Sequence, residues 1–131
     1  MYSKKIIQHF SHPKFFGKIK NADVIGNAGN PRCGDLMTLY LKLKKNPPKA
    51  RLAKGGKKIK EIKFETLGCA AAIAASDMVC ELVKGKTLEQ ALKIGFQDVS
   101  TGLGKLPPLK IHCAQLVTAA LKDAINKYLS K

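Results

Sequence analysis

The chain of 131 residues has no tryptophan, only 6% aromatic residues and just two arginines, Arg32 and Arg51, among its 24 basic residues. Proteins that read nucleic-acid sequence lean on aromatic stacking and on bidentate guanidinium contacts. Specific nucleic-acid binding is therefore not expected here. Acidic residues are also scarce: 24 basic against 9 acidic side chains leave a formal charge of +15. Such a lysine coat is usually a solvated face, and an acidic protein partner would suit it as well. No apolar run approaches the roughly 20 residues of a membrane span, and lysines interrupt the N-terminal segment where a leader would need an apolar stretch. A soluble, cytoplasmic protein is expected, with no membrane partner. The four cysteines include no C-x-x-C pair, which leaves out zinc-ribbon and thioredoxin-type motifs. In a reducing compartment, four thiols point to metal or reactive-sulfur chemistry in preference to disulfides.

The hydrophobic content of 45% suffices for one domain, which at this length buries roughly two thirds of its unfolded-chain surface. A single domain over 1–131 is expected. Ser3 to Phe10 reads as a short amphipathic helix with Ile6, Ile7 and Phe10 on one side, stopped near Pro13. Ala22 to Asn27 suits an edge strand. In Leu36 to Lys44, Leu39, Leu41 and Leu43 alternate with Tyr40, Lys42 and Lys44, and in Lys60 to Thr66, Ile62 and Phe64 alternate with Lys63 and Glu65. That period of two predicts two half-buried strands, joined across a connection containing Pro47, Pro48, Gly55 and Gly56. After Gly68 the period becomes helical through Ile73, Ser76, Val79, Cys80 and Val83, with Gly85 placed to end the helix. Thr87 and Gln90 form a capping box for a short helix ending near Gly95. A last helix follows Pro108, with Cys113, Val117, Ala120, Leu121, Ala124 and Tyr128 on one stripe. Strands first and helices afterwards predict an α+β domain, its helices packed on one face of an antiparallel sheet.

Three cysteines fall at predicted element boundaries. Cys33 sits in the turn Gly29-Asn30-Pro31-Arg32-Cys33-Gly34-Asp35, Cys69 opens the helix after Gly68, and Cys113 opens the last helix beside His112. A helix N-terminus favours negative charge and so keeps a thiolate available. Cys80 differs: eleven helical residues from Cys69 amount to about 16 Å, too far to share a cluster, and it reads as a core residue. A [2Fe-2S] cluster takes four protein ligands, so three cysteines leave one position for His112 or Asp35. A carboxylate is harder than a thiolate and would hold the cluster less firmly, which suits a protein that must release it.

Three segments together resemble the IscU/NifU-type iron-sulfur cluster assembly scaffolds: Asn30 to Asp35, Gly68 to Ala74 with its Gly-Cys-Ala-Ala-Ala-Ile-Ala run, and Leu106 to Cys113 with its Leu-Pro-Pro and His-Cys pairs. The resemblance spans nearly the whole chain. It implies an IscU-like α+β fold with a three-stranded antiparallel sheet and a scaffold without turnover of its own. It further implies Cys33, Cys69 and Cys113 as ligands and persulfide acceptors, His112 as a fourth ligand, and Asp35 as the residue governing cluster release and iron or zinc binding. A pyridoxal-phosphate-dependent cysteine desulfurase would supply sulfur, apo-ferredoxin and other apoproteins would accept the cluster, and Leu106, Pro107, Pro108, Leu109 and Lys110 would meet a DnaK-like chaperone and its J-type co-chaperone. The basic stretch from Lys45 to Lys58 is longer and more basic than the family pattern. A shorter group of relatives holds zinc and lacks the histidine; His112 argues against placing the chain there.

The competing class is a zinc-binding sulfur acceptor, because the same thiolates suit tetrahedral zinc and the isolated protein can carry it. A lysine-rich nucleic-acid module would bind in a salt-dependent way without its cysteines. A thiol hydrolase lacks a matched nucleophile, base and orienting group.

Overall fold

The computed structural model describes residues 3–30, 35–44, 56–67, 70–104, 106 and 111–130, with the side chains of Asn30 and Asp35 outside that description. Its elements are α1 (Lys4–Ser11), β1 (Val24–Asn30), β2 (Asp35–Leu43), β3 (Ile59–Thr66), α2 (Ala70–Val83), α3 (Leu88–Leu92), α4 (Phe96–Gly102) and α5 (Ile111–Leu129). The strands form one antiparallel sheet in the order β1-β2-β3. The α+β expectation therefore stands, and the alternation in β2 explains why. Leu39, Leu41 and Leu43 are buried against α2 and α5, which pack on the sheet. The other face carries polar pairs, among them the Tyr40 hydroxyl donating to Glu65 at 2.6 Å and the Thr38 hydroxyl donating to Asn27 Oδ1 at 3.1 Å.

Several boundaries differ from the sequence expectation for physical reasons. β1 extends to Asn30 although Gly26, Asn27 and Gly29 have little strand propensity, because β2 pairs with every residue from Val24 to Asn30. α2 buries nearly its whole circumference, including Ala71, Ala72, Ala74 and Ala75, since β3, α1, α4 and α5 surround it. Gly85 takes φ +85° just past its end, a conformation glycine adopts without strain. The Thr87–Gln90 capping box is present in both directions, but α3 stops at Leu92 after burying Leu88 and Ala91. The helix α4 had no expectation at all; it is about two turns long with Val99 as its buried residue, too short for a period to show. In α1 only Ile6 is buried, while Ile7 and Phe10 stay half exposed.

Polar contacts hold the N-terminal segment instead. Asp77 on α2, 1% exposed, accepts the backbone N–H groups of Lys14 and Phe15 at 2.8 and 3.0 Å and lies 2.5 Å from Nδ1 of His9. That carboxylate lays residues 14–17 along β3: the Phe64 N–H donates to the Phe15 carbonyl and the Gly17 N–H to the Phe64 carbonyl. Across the sheet, α5 treats β1 similarly. Asp123 accepts the Asn27 N–H at 2.9 Å, and Lys127 Nζ stands 3.5 Å from the Ile25 carbonyl and 2.9 Å from Asp123. Those two donors hold the Asp123 carboxyl below the usual carboxylate range.

At Gly26 the helix α5 comes very close to the sheet. A Cβ there would stand 2.4 Å from the Ala120 carbonyl oxygen and 2.5 Å from the Ala124 methyl. Neither the helix backbone nor the alanine can yield without moving α5. Gly26→Ala is expected to cost about 2 kcal/mol or more, read as a lowered midpoint of urea unfolding; an unchanged midpoint would show that α5 is not seated this tightly.

Candidate cluster-assembly site

Chain connectivity and register carry three segments to one end of the sheet. Asn30 and Asp35 are the last register pair of β1 and β2, and 31–34, with Cys33, connect them. At the same end, β3 finishes at Thr66 opposite Met37, the Leu67 N–H reaches the Leu36 carbonyl at 3.4 Å, and α2 starts again at Ala70. Cys69 is bracketed by those two ends. Cys33 and Cys69 themselves lie outside the described residues, as do Pro107, Pro108, Leu109 and Lys110.

The third segment arrives through α5. Residues 120 to 124 face Gly26 and Asp123 faces Asn27, while Lys127 faces Ile25, so α5 runs opposite to β1. Cys113 stands nine residues before the centre of that contact, about 13 Å at 1.5 Å per residue. Gly26 is four residues from Asn30, also about 13 Å at 3.3 Å per residue. Cys113 is therefore level with the Asn30–Asp35 pair.

Cys113 is the third residue of α5 and fully buried. Its Sγ lies 3.6 Å from Nε2 of the half-buried His112. Asp35 is the first residue of β2, so its backbone is placed beside this end. Among the described residues no three His, Cys, Asp or Glu side chains gather around a point that would hold a metal ion; the expected set draws on Cys33, Cys69 and the Asp35 side chain, beyond them. Leu106 is packed into the core at 4% exposure, its N–H donating to the Ser100 hydroxyl at 3.0 Å. That leaves 107–110 as the part of the expected chaperone segment on which the described residues are silent.

Among the described residues, exposed apolar side chains lie beside this end. A groove of about 300 Å³ is lined by Phe16, Leu36, Thr38, Glu65, Thr66 and Leu67. Leu67 is 80% exposed and Leu36 55%. The sequence reading did not single out these residues; their signal is an apolar residue on the otherwise polar face of β2 at Leu36, and Leu67 just past the end of β3. It also gave no role to Asp77 or His9, whose partners are more than sixty residues away in the chain.

The chain is similar to known proteins over its whole length. The family model described as the NifU-like N-terminal domain matches residues 1–131. The iron-sulfur cluster assembly scaffold protein IscU 1 of Archaeoglobus fulgidus is 50% identical over 131 residues, covering all of this chain and 78% of the relative. The IscU scaffold of Escherichia coli K12 is 40% identical over 133 residues, covering 99% and 95%. Among solved structures, the iron-sulfur cluster assembly scaffold protein for the SUF system from Fervidobacterium islandicum AW-1 superposes with a TM-score of 0.70 at 28% identity, covering 95% of this chain and 96% of that one. A NifU-like N-terminal protein from Brucella abortus, 19% identical with a TM-score of 0.70, has the same fold. No helix among the described residues is long and apolar enough to cross a membrane.

Cys80 stands apart. It is the eleventh residue of α2, about 15 Å along the helix from Ala70, and it is a free, fully buried thiol. Burial, with the nearby Asp77 charge second, pushes its pKa well above the ordinary thiol value. Below the unfolded thiol pKa of about 8.5 both states are protonated and this residue adds no pH dependence. As pH rises past that value, only the unfolded state ionises, so stability is lost. Cys80→Ala should flatten the alkaline fall in stability measured by urea unfolding between pH 8 and 10; an identical fall in the variant would assign it to other groups.

Proposed function

We propose, for a chain that belongs to the family of NifU-like N-terminal domains, that it is a scaffold on which iron-sulfur clusters are assembled and from which they are passed on. What supports the reading most is the convergence at one end of the sheet of Cys113 and of the described flanks of Cys33 and Cys69, with Cys80 left in the core about 15 Å along α2 from Ala70. The names of the relatives at 40–50% identity agree with it.

The cluster is cargo in this scheme. Cys33, Cys69 and Cys113 supply three thiolates, and His112 or Asp35 the fourth ligand of a [2Fe-2S] unit. Sulfur comes from a cysteine desulfurase. A scaffold thiolate attacks the outer sulfur of the donor's cysteine persulfide, the S–S bond there breaks, and the donor cysteine leaves as a thiolate. Two electrons per sulfur from an external one-electron carrier then reduce the bound sulfur to sulfide and restore the scaffold thiolate. Ferrous iron enters with the Asp35 carboxylate as an early, hard ligand. Release goes to apo-ferredoxin and other apoproteins, with 107–110 meeting a DnaK-like chaperone and its J-type partner. The protein performs this without catalytic turnover of its own, in a cytoplasm where thiols stay reduced, and the same donor set lets it hold zinc when isolated.

Anaerobic reconstitution with a cysteine desulfurase, cysteine, a reductant and ferrous iron tests the reading. A visible chromophore that transfers to apo-ferredoxin is expected; a colourless protein holding one tight zinc would favour the sulfur-acceptor alternative. Cys33→Ser, Cys69→Ser and Cys113→Ser should each abolish stable loading, and Cys80→Ala should load normally. Asp35→Ala should lengthen the cluster's lifetime, and faster loss in that variant would contradict the release role assigned to the carboxylate.

A further inference from the structure

The β2–β3 ladder ends where the proposed ligand arms begin. Its last register pair is Met37 with Thr66, and one step farther the backbone bond from the Leu67 N–H to the Leu36 carbonyl has lengthened to 3.4 Å, past the usual range for N–H···O bonds. A side chain closes the gap. The Thr66 hydroxyl donates to the Leu36 carbonyl at 2.7 Å, a short, well-formed bond. Leu36 directly follows Asp35, and Thr66 lies three residues before Cys69. This one hydroxyl thus joins the arm that carries Asp35 to the arm that carries Cys69 at the point where main-chain pairing gives out.

We propose that Thr66 is a positioning residue for the cluster: its hydroxyl fixes the registration of the Asp35 arm against the Cys69 arm, so that the two donors meet the metal at a set separation. The inference rests on the ligand reading above and adds a residue that touches neither iron nor sulfide. Its logic separates positioning from stability. Leu36 is 55% exposed, so water can replace the lost donor at its carbonyl and the fold loses little. A cluster bridging two strand ends has no such substitute, because ligand geometry depends on supporting hydrogen bonds outside the ligand shell.

The test compares anaerobically loaded wild type with Thr66→Val, which keeps the shape and removes the hydroxyl, and Thr66→Ser, which keeps the hydroxyl. Thr38→Val is the control, since it deletes a comparable bond near the same groove, Thr38 to Asn27 at 3.1 Å, which joins β2 to β1 and not to the Cys69 arm. Thr66→Val should lose its cluster at least threefold faster than wild type and show a shifted visible circular dichroism spectrum. Thr66→Ser and Thr38→Val should match wild type in both, and the thermal midpoints of the two valine variants should fall by similar small amounts. Wild-type lifetime and spectrum in Thr66→Val would overturn the proposal, as would equal acceleration in Thr38→Val. If Thr66→Val proves too unstable to load, Thr66→Ser decides: failure to restore the wild-type spectrum overturns the proposal. A wild type that takes up no cluster would instead sink the scaffold reading, and this inference with it.

Discussion

The absence of a side chain at Gly26 is the constraint on which the rest of the molecule hangs. It lets the backbone of α5 lie almost directly on β1, with Ala120 and Ala124 where a side chain at Gly26 would stand. Because helix and strand advance along their axes at fixed rates, this contact also decides where the distant end of α5 arrives. Cys113 is brought level with the Asn30–Asp35 pair about 13 Å away, and no contact at the site itself is needed to put it there. A rigid helix of 19 residues thus carries a packing decision made mid-sheet to the thiol at its tip.

What was legible in the sequence was whatever is local. The alternating leucines of β2, the Thr87–Gln90 capping box, the glycine that ends α2 and the buried character of Cys80 each follow from residues within a few positions of one another, and each is found in the fold. Less legible was whatever depends on distant partners. Asp77 looks like an ordinary polar residue on an apolar helix until His9, Lys14 and Phe15 are brought to it. The length of β1 is set by β2, against the preferences of its own glycines and asparagines. Of the proposed site, the resemblance gave the residues, and the sheet places the described flanks of Cys33 and Cys69 at one end.

The scarcity of acids has a structural counterpart. Asp23 accepts the Leu43 N–H, Asp98 the Gly95 N–H, Asp123 the Asn27 N–H and Asp77 those of Lys14 and Phe15, while Glu65 accepts the Tyr40 hydroxyl. More than half of the nine carboxylates are engaged in holding backbone or side-chain donors. The positive excess is therefore carried by lysines that have few carboxylates left to meet. That arrangement gives a long-range attraction for acidic partners which ionic strength would weaken.

Both outer edges of the three-stranded sheet are occupied by the chain itself. Along β1, Asp123 and Lys127 stand at the Asn27 N–H and the Ile25 carbonyl; along β3, Phe15 and Gly17 pair with Phe64, and Lys86 and Gly85 pair with Ile59. An open strand edge is a template on which another chain can add a strand, the first step toward aggregated sheets. Here the chain's own segments take those positions, while the groove beside Leu36 and Leu67 is left open. The consequence is a sheet whose outer strands meet the chain's own groups at Asn27, Ile25, Phe64 and Ile59, which disfavours strand addition at those points.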